Sequence, residues 1–139
     1  MAINIHALER YCDDLLASAR FQDYCPNGLQ VEGAARVGRI AAAVTANQSV
    51  IDAAVAWGAD ALIVHHGYFW RGEEAPVVGM KKRRIAALLR ADMSLLAQAK
   101  GQPMALSNKL RSAMDGDPSG SGKFSLGQNT GNGYNEGLD

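Results

Sequence analysis

The 139-residue chain is poor in cysteine: Cys12 and Cys25 are the only two, with no paired spacing between them. That excludes a disulfide framework or a cysteine-zinc motif, and both side chains read as buried or half-buried thiols. Neither sign of charge is in excess, since 14 basic residues balance 14 acidic ones. No global field therefore draws the chain to nucleic acid or to an anionic membrane. No apolar run approaches the roughly 20 residues of a membrane span. Met1 to Arg10 also lacks the charged stretch and apolar core of a secretion leader. These absences predict a cytoplasmic protein with no nucleic-acid and no membrane partner. Histidine is scarce too: His6, His65 and His66 are the whole supply, and none follows position 66.

What is present is ordinary for a folded protein, with 47% hydrophobic and 20% charged residues. From Asn4 to Ala19 apolar residues fall at Ile5, Leu8, Cys12, Leu15, Leu16 and Ala19, the three-and-four spacing of one helical face. Asn4 is placed to cap that helix. The stretch 23–28, ending in Asn27-Gly28, reads as a loop. Val37 to Val44 is a short apolar run, and Asn47-Gln48-Ser49 opens a second helix that Gly58 stops. Ala61 to Val64 is a second strand, so strand, helix and strand make a right-handed parallel crossover. A third helix over Lys81 to Ala91, with Ile85, Leu88 and Leu89 inward, and a strand over Met93 to Ala97 follow. The fold class is α/β, a short and mostly parallel sheet with flanking helices.

The remainder differs in kind. Between Asp115 and Asp139 seven glycines stand against four large apolar residues, too few to offset an ordering cost of about 1–2 kcal/mol per residue. Residues 1–97 therefore read as one α/β domain and 98–139 as a flexible tail, with room for one short helix between Gln98 and Met114.

His65 and His66 carry the chemistry. They stand where a parallel strand ends, and ligands of open α/β sheets bind just beyond the carboxyl ends of strands. Neutral imidazole is a common ligand of zinc, iron and nickel. Adjacent strand residues face opposite sides, so both rings reach one site only if the strand has ended by His66. Gly67 would let the chain turn there. Alone, a His-His pair is also a common hydrogen-bonded loop feature, and two histidines are too few for a two-metal site. His6 falls on the polar side of the first helix and reads as solvated.

These blocks resemble the N-terminal part of the Nif-three-like family of dinuclear-metal proteins, the GTP cyclohydrolase type two homologues. The resemblance rests on Pro26-Asn27-Gly28-Leu29-Gln30-Val31-Glu32-Gly33, Ala43-Val44-Thr45-Ala46, Gly58 through Trp70 with its His65-His66-Gly67, and Lys82-Arg83-Arg84-Ile85. It spans about Ile3 to Ala97. It implies a toroidal homohexamer, two divalent metal ions (Zn, Fe, Ni, Mn or Mg), and His65 and His66 as two of their ligands. It also implies an aspartate in a Tyr-His-x-Pro-x-Asp segment beyond Ala97, where this chain reads Gln98-Ala99-Lys100-Gly101-Gln102-Pro103. It implies a later His-x-x-x-Glu pair on a helix, and no histidine follows His66 to supply it. Asp115 and Asp117 match no family position. The chain thus resembles about the first two fifths of a family member joined to a divergent tail.

Three further features have two readings each. Phe69 and Trp70 could stack on a planar substrate such as a nucleobase, or pack against the sheet or a neighbouring subunit. Thr45 could position a substrate or a metal-bound water, or simply cap the next helix. Lys81 to Arg84 reads as a solvated basic face rather than a phosphate contact. Two functions follow: metal-dependent hydrolysis of a nucleotide-like or phosphorylated small molecule, incomplete as an enzyme, or a non-catalytic metal-binding or interaction module or inactive truncated fragment.

Overall fold

A computed structural model describes residues 2–16 and 26–98, and the backbone of residues 123–126. The elements run β1 (Ile3–Asn4), α1 (Ile5–Leu16), β2 (Gly28–Val31), β3 (Arg36–Val37) and β4 (Arg39–Thr45). They continue with α2 (Gln48–Trp57), β5 (Ala61–His66), α3 (Gly79–Arg90), β6 (Ser94–Ala97) and β7 (Lys123–Leu126). The main sheet has the order β2-β6-β5-β4-β7, and β1 pairs with β3 in a separate two-stranded ribbon. Strands β4, β5 and β6 are parallel neighbours, and β2 is antiparallel to β6.

The alternation of side chains along β5 explains the layers. Ala61 and Ile63 join Ile40, Leu96 and the α1 residues Ile5, Leu8 and Cys12 in one buried cluster. Leu62 and Val64 point the other way, into a cluster with Val50, Ile51 and Ala54 of α2 and Leu88 of α3. Helices thus cover both faces, which is why β5 and β6 read as continuous apolar runs rather than alternating ones. The two crossover helices share a face because β4, β5 and β6 advance across the sheet in one direction.

Local chemistry sets the helix ends. Asn4 Oδ1 accepts from the His6 backbone N–H at 2.9 Å, so it caps α1 as expected. Asn47 does the same for α2, accepting from the Val50 backbone N–H at 2.9 Å, and Gly58 closes that helix at φ 83°. Thr45 is therefore not the cap of α2. The capping atom lies two residues later, and the Thr45 hydroxyl is available to the sheet edge. In α3, Ile85 and Leu88 face inward, but Leu89 is 53% exposed, because the helix offers the core only a narrow stripe. Residues 17–19 of the expected first helix and Cys25 lie outside the described residues.

The short ribbon of β1 and β3 was not expected, nor were two strands of the main sheet. Gly28 ends the expected loop and Leu29 to Val31 show no strand pattern, yet Gly28–Val31 pairs antiparallel with β6 through Leu29↔Leu96. Backbone pairing also brings Lys123–Leu126, a segment with tail-like composition, parallel to the outer edge of β4. An unpaired strand edge is a ready template for such addition. The rest of 99–139 lies outside the described residues.

Cys12 is completely buried. Desolvation first, then the Asp13 and Glu9 carboxylates, push its thiol up to about 12 from 9.0. A folded-state pKa above the unfolded one leaves stability untouched below about pH 9 and removes it as pH rises towards 12. The loss has a ceiling of about 4 kcal/mol, from about 1.4 kcal/mol per pKa unit. Urea titrations at pH 8 and pH 11 should show a distinctly smaller decline for Cys12→Ala than for the unsubstituted chain. Parallel declines would contradict this account.

Candidate metal centre

The parallel register Thr45↔His66 and Val64↔Ala97 brings the ends of β4, β5 and β6 to one edge of the sheet. The strand does not stop before the histidines: β5 runs through His66, whose carbonyl still accepts from the Ala46 backbone N–H at 3.2 Å. Even so, the two rings meet, with centroids 4.6 Å apart and planes tilted by 44°. The expectation that convergence requires the strand to end is therefore corrected. Each ring is drawn to a neighbouring strand end. His65 Nδ1 lies 3.2 Å from the Gln98 carbonyl oxygen just past β6, and His66 Nδ1 lies 3.1 Å from Thr45 Oγ1 at the end of β4.

The first contact sets the tautomer of His65. A carbonyl only accepts, so His65 Nδ1 carries the proton and Nε2 carries the lone pair. The Thr45 hydroxyl both donates and accepts, so its contact with His66 Nδ1 is compatible with the same tautomer, in which His66 Nε2 carries the lone pair. Metal-binding histidines are held in this way by oxygen acceptors on their other nitrogen. Desolvation first, then the neighbouring His65, lower the pKa of His66, which favours the neutral ring that ligation requires.

Gly67 has a different role from the sharp turn expected of it. It is not among the glycines with positive φ. A Cβ there would stand 2.3 Å from Gln30 Oε1 and 2.8 Å from the Ala97 Cβ, so the position is a close approach between β5, β2 and β6. Gln30 uses that space to clamp the following residue. Its Oε1 accepts from the Tyr68 backbone N–H at 2.8 Å, and its Nε2 donates to the Tyr68 carbonyl at 3.0 Å and to the Pro26 carbonyl at 2.9 Å. The Tyr68 hydroxyl donates to the Ala46 carbonyl at 2.6 Å, and burial raises its pKa.

Phe69 and Trp70 part company. Phe69 sits at φ 62° with Lys81 Nζ 4.9 Å from its ring centre, which occupies one face of the ring. Trp70 donates from its indole N–H to the Gly67 carbonyl at 2.9 Å and lies 5.9 Å from the His66 ring. Trp70, together with Thr45, His66, Tyr68, Lys81 and Arg84, lines a cleft of about 430 Å³, whereas Phe69 does not. The basic run is accordingly divided. Lys82 and Arg83 are exposed as expected, while Lys81 and Arg84 turn into the cleft. His6 is solvated, its side chain 53% exposed beside Glu32.

Two residues that the sequence reading passed over complete the support of the site. Gln98 is buried, donates from its backbone N–H to the Val64 carbonyl, and donates from Nε2 to Asp13 Oδ1 at 3.0 Å. Its carbonyl orients His65, and a backbone atom leaves no mark in a sequence. Gln30 did leave one, because it stands inside the Pro26-to-Gly33 block. Among the described residues, no three His, Cys, Asp or Glu side chains come together. The donor set fits two imidazole ligands of a divalent ion, and further ligands are not supplied by the described residues.

Comparison with known proteins agrees with this architecture. A "GTP cyclohydrolase 1 type 2 homolog" of Pseudomonas aeruginosa is 58% identical over 97 residues, covering 70% of this chain and 38% of that protein. The protein of the same name from Escherichia coli K12 is 52% identical over 88 residues, covering 63% and 36%. This chain therefore spans less than two fifths of the length of these curated relatives. The crystal structure of TTHA1606 from Thermus thermophilus matches with a TM-score of 0.65 at 41% identity, covering 68% of this chain and 39% of that one. Reduced HcgD from Methanocaldococcus jannaschii shares the fold, with a TM-score of 0.63 at 18% identity over 70% of this chain and 40% of that one. The model of the family Duf34/NIF3 (NGG1p interacting factor 3) matches residues 3–98, and the chain belongs to that family.

Proposed function

We propose that this chain carries the histidine half of a divalent-metal centre which, when complete, hydrolyses a nucleotide-like or phosphorylated small molecule. The observation behind this reading is the pair of imidazoles 4.6 Å apart, each with Nδ1 on an oxygen. A divalent ion at such a site supplies Lewis acidity and makes water acidic enough to serve as a nucleophile near neutral pH. The chain's own part is to hold His65 through Gln98 and His66 through Thr45. Imidazole donors favour zinc, iron or nickel over magnesium. In this reading the remaining ligands lie outside the described residues or come from further copies in a homo-oligomer, a hexamer by family resemblance, working in the cytoplasm.

A second reading is a non-catalytic metal-binding module. It needs only the two paired imidazoles, since holding an ion requires no reacting group beside it.

Metal analysis of the full chain, with a nucleotide hydrolysis assay, separates the two. Bound zinc should be lost on His65→Ala or His66→Ala, and Thr45→Val should weaken it roughly 10–100-fold, as loss of an outer partner does. Turnover that disappears with the metal supports the hydrolase. Metal without turnover supports the module. Zinc retained equally by both histidine variants would end the metal reading.

A further inference from the structure

The cleft beside His66 contains an unbalanced cation. Arg84 Nε is buried without a hydrogen-bond partner. Among the described residues Arg84 has no carboxylate at ion-pair distance. Glu73, which also lines the cleft, is committed elsewhere, lying 3.6 Å from Lys81 Nζ and accepting from the Trp70 backbone N–H at 3.0 Å. Lys81 is itself held, its side chain only 12% exposed and its Nζ donating to the Glu74 carbonyl at 3.2 Å. Lys81 and Arg84 together outweigh the one carboxylate, so the cleft keeps a net positive charge inside low-dielectric walls. A buried guanidinium N–H without a partner carries its full desolvation cost.

The arrangement has the elements of an oxyanion site. Lys81 and Arg84 are three residues apart on α3, so they share a helical face. The first turn of α3 adds the positive end of the helix dipole, and its N-cap residue, Val78, makes no side-chain cap hydrogen bond. Guanidinium is shaped to bind two oxygens of a phosphate at once. The cleft volume of about 430 Å³ suits a small molecule, and the Trp70 indole beside His66 is part of its lining.

We infer that Arg84 and Lys81 form a binding subsite for the phosphoryl group of a small molecule in the cleft between α3 and the ends of β4 and β5. The subsite rests on the proposed reading for its substrate class, but its two cations are not metal ligands and bind the oxyanion without a metal.

Calorimetric titration of the full chain with inorganic phosphate, in the presence of a chelator, tests this. Saturable binding is expected, weakened roughly tenfold or more by Arg84→Gln, the size of effect that a lost charge-assisted hydrogen bond produces. The exposed neighbours provide the control: Lys82→Met and Arg83→Gln should leave the affinity unchanged. Glu73→Gln should tighten phosphate binding by removing the opposing charge, a gain that no loss of structure produces. It carries the test if Arg84→Gln unfolds, which circular dichroism would reveal. Absence of saturable binding, equal losses for Arg83→Gln and Arg84→Gln, or weaker binding in Glu73→Gln would overturn the subsite. Because no metal is present, none of these results depends on whether His65 and His66 bind one.

Discussion

Gly33→Ala should destabilise the fold by about 3 kcal/mol or more, the upper part of the range for overpacking a filled site. A Cβ at Gly33 would stand 2.3 Å from the Asp92 carbonyl oxygen and 2.7 Å from the Met93 carbonyl carbon. Both are backbone atoms, and neither is able to rotate away as a side-chain tip would. The strand end must move instead. That movement pulls the Gly33 backbone N–H from Ser94 Oγ, a 2.9 Å hydrogen bond, and the Ala34 backbone N–H from the Asp92 carbonyl, also 2.9 Å. For a fold worth about 5–15 kcal/mol in total, this is a large share. Gly72→Ala is the matched control. Gly72 has φ 86° but nothing within 4 Å of the added atom, so only the left-handed backbone cost of about 1–2 kcal/mol applies. Urea midpoints that fall equally for the two variants would show that the contact at Gly33 does not govern stability.

Gln30→Ala should have the next largest effect, and it should reach the site. One side chain makes three hydrogen bonds, two of them to the backbone of Tyr68. At about 1 kcal/mol each, with a further penalty for the stranded Tyr68 N–H, the loss comes to about 3–4 kcal/mol. The positive φ of Phe69, 62°, is held by the surrounding structure, and the clamp on Tyr68 is one of its neighbours in sequence. With the clamp gone, the segment from Gly67 to Trp70 should relax and Trp70 should leave the His66 ring. Thermal melts give the stability change. Tryptophan fluorescence gives the local one, read in a Trp57→Phe background so that Trp70 reports alone. A change within about 0.5 kcal/mol, the range of surface substitutions, together with an unaltered Trp70 signal, would remove Gln30 from the site's support.

How far the site was legible varies residue by residue. His65 and His66 were conspicuous because a polar pair ends an apolar strand run, and the register places them at the sheet edge as that pattern requires. The direction of their rings was not legible. Period-two alternation sends neighbours on a strand to opposite faces, and only the tethers at Gln98 and Thr45, 33 and 21 residues away in sequence, bring them together. Thr45 was read mainly as a helix cap, since capping is a local rule. The cap is Asn47, and the threonine's partner comes from another strand. Lys81 and Arg84 were read as solvated because a short basic run has no local feature to distinguish its inward members. The packing of α3 beside the β4 and β5 ends separates them from Lys82 and Arg83.

The strands divide in the same manner. β4, β5 and β6 were readable since parallel strands covered on both faces need unbroken apolar runs. β2 was not, as Gly28-Leu29-Gln30-Val31 has no such run and owes its strand character to pairing with β6. β7 likewise depends on the open edge of β4.

From the sequence alone follow the α/β class, the helix cap at Asn4, the helix stop at Gly58, and the histidine pair at a strand end. Each of these follows from contacts within a few residues or from a periodicity that one segment displays alone. The tertiary structure alone decided why Gly33 and Gly67 must be glycine, what Gln30 clamps, and which cations face the cleft. Those depend on atoms that meet only when distant segments pack, and close packing leaves no room for a Cβ where Gly33 meets the Asp92 and Met93 backbone or where Gly67 meets the Gln30 and Ala97 side chains.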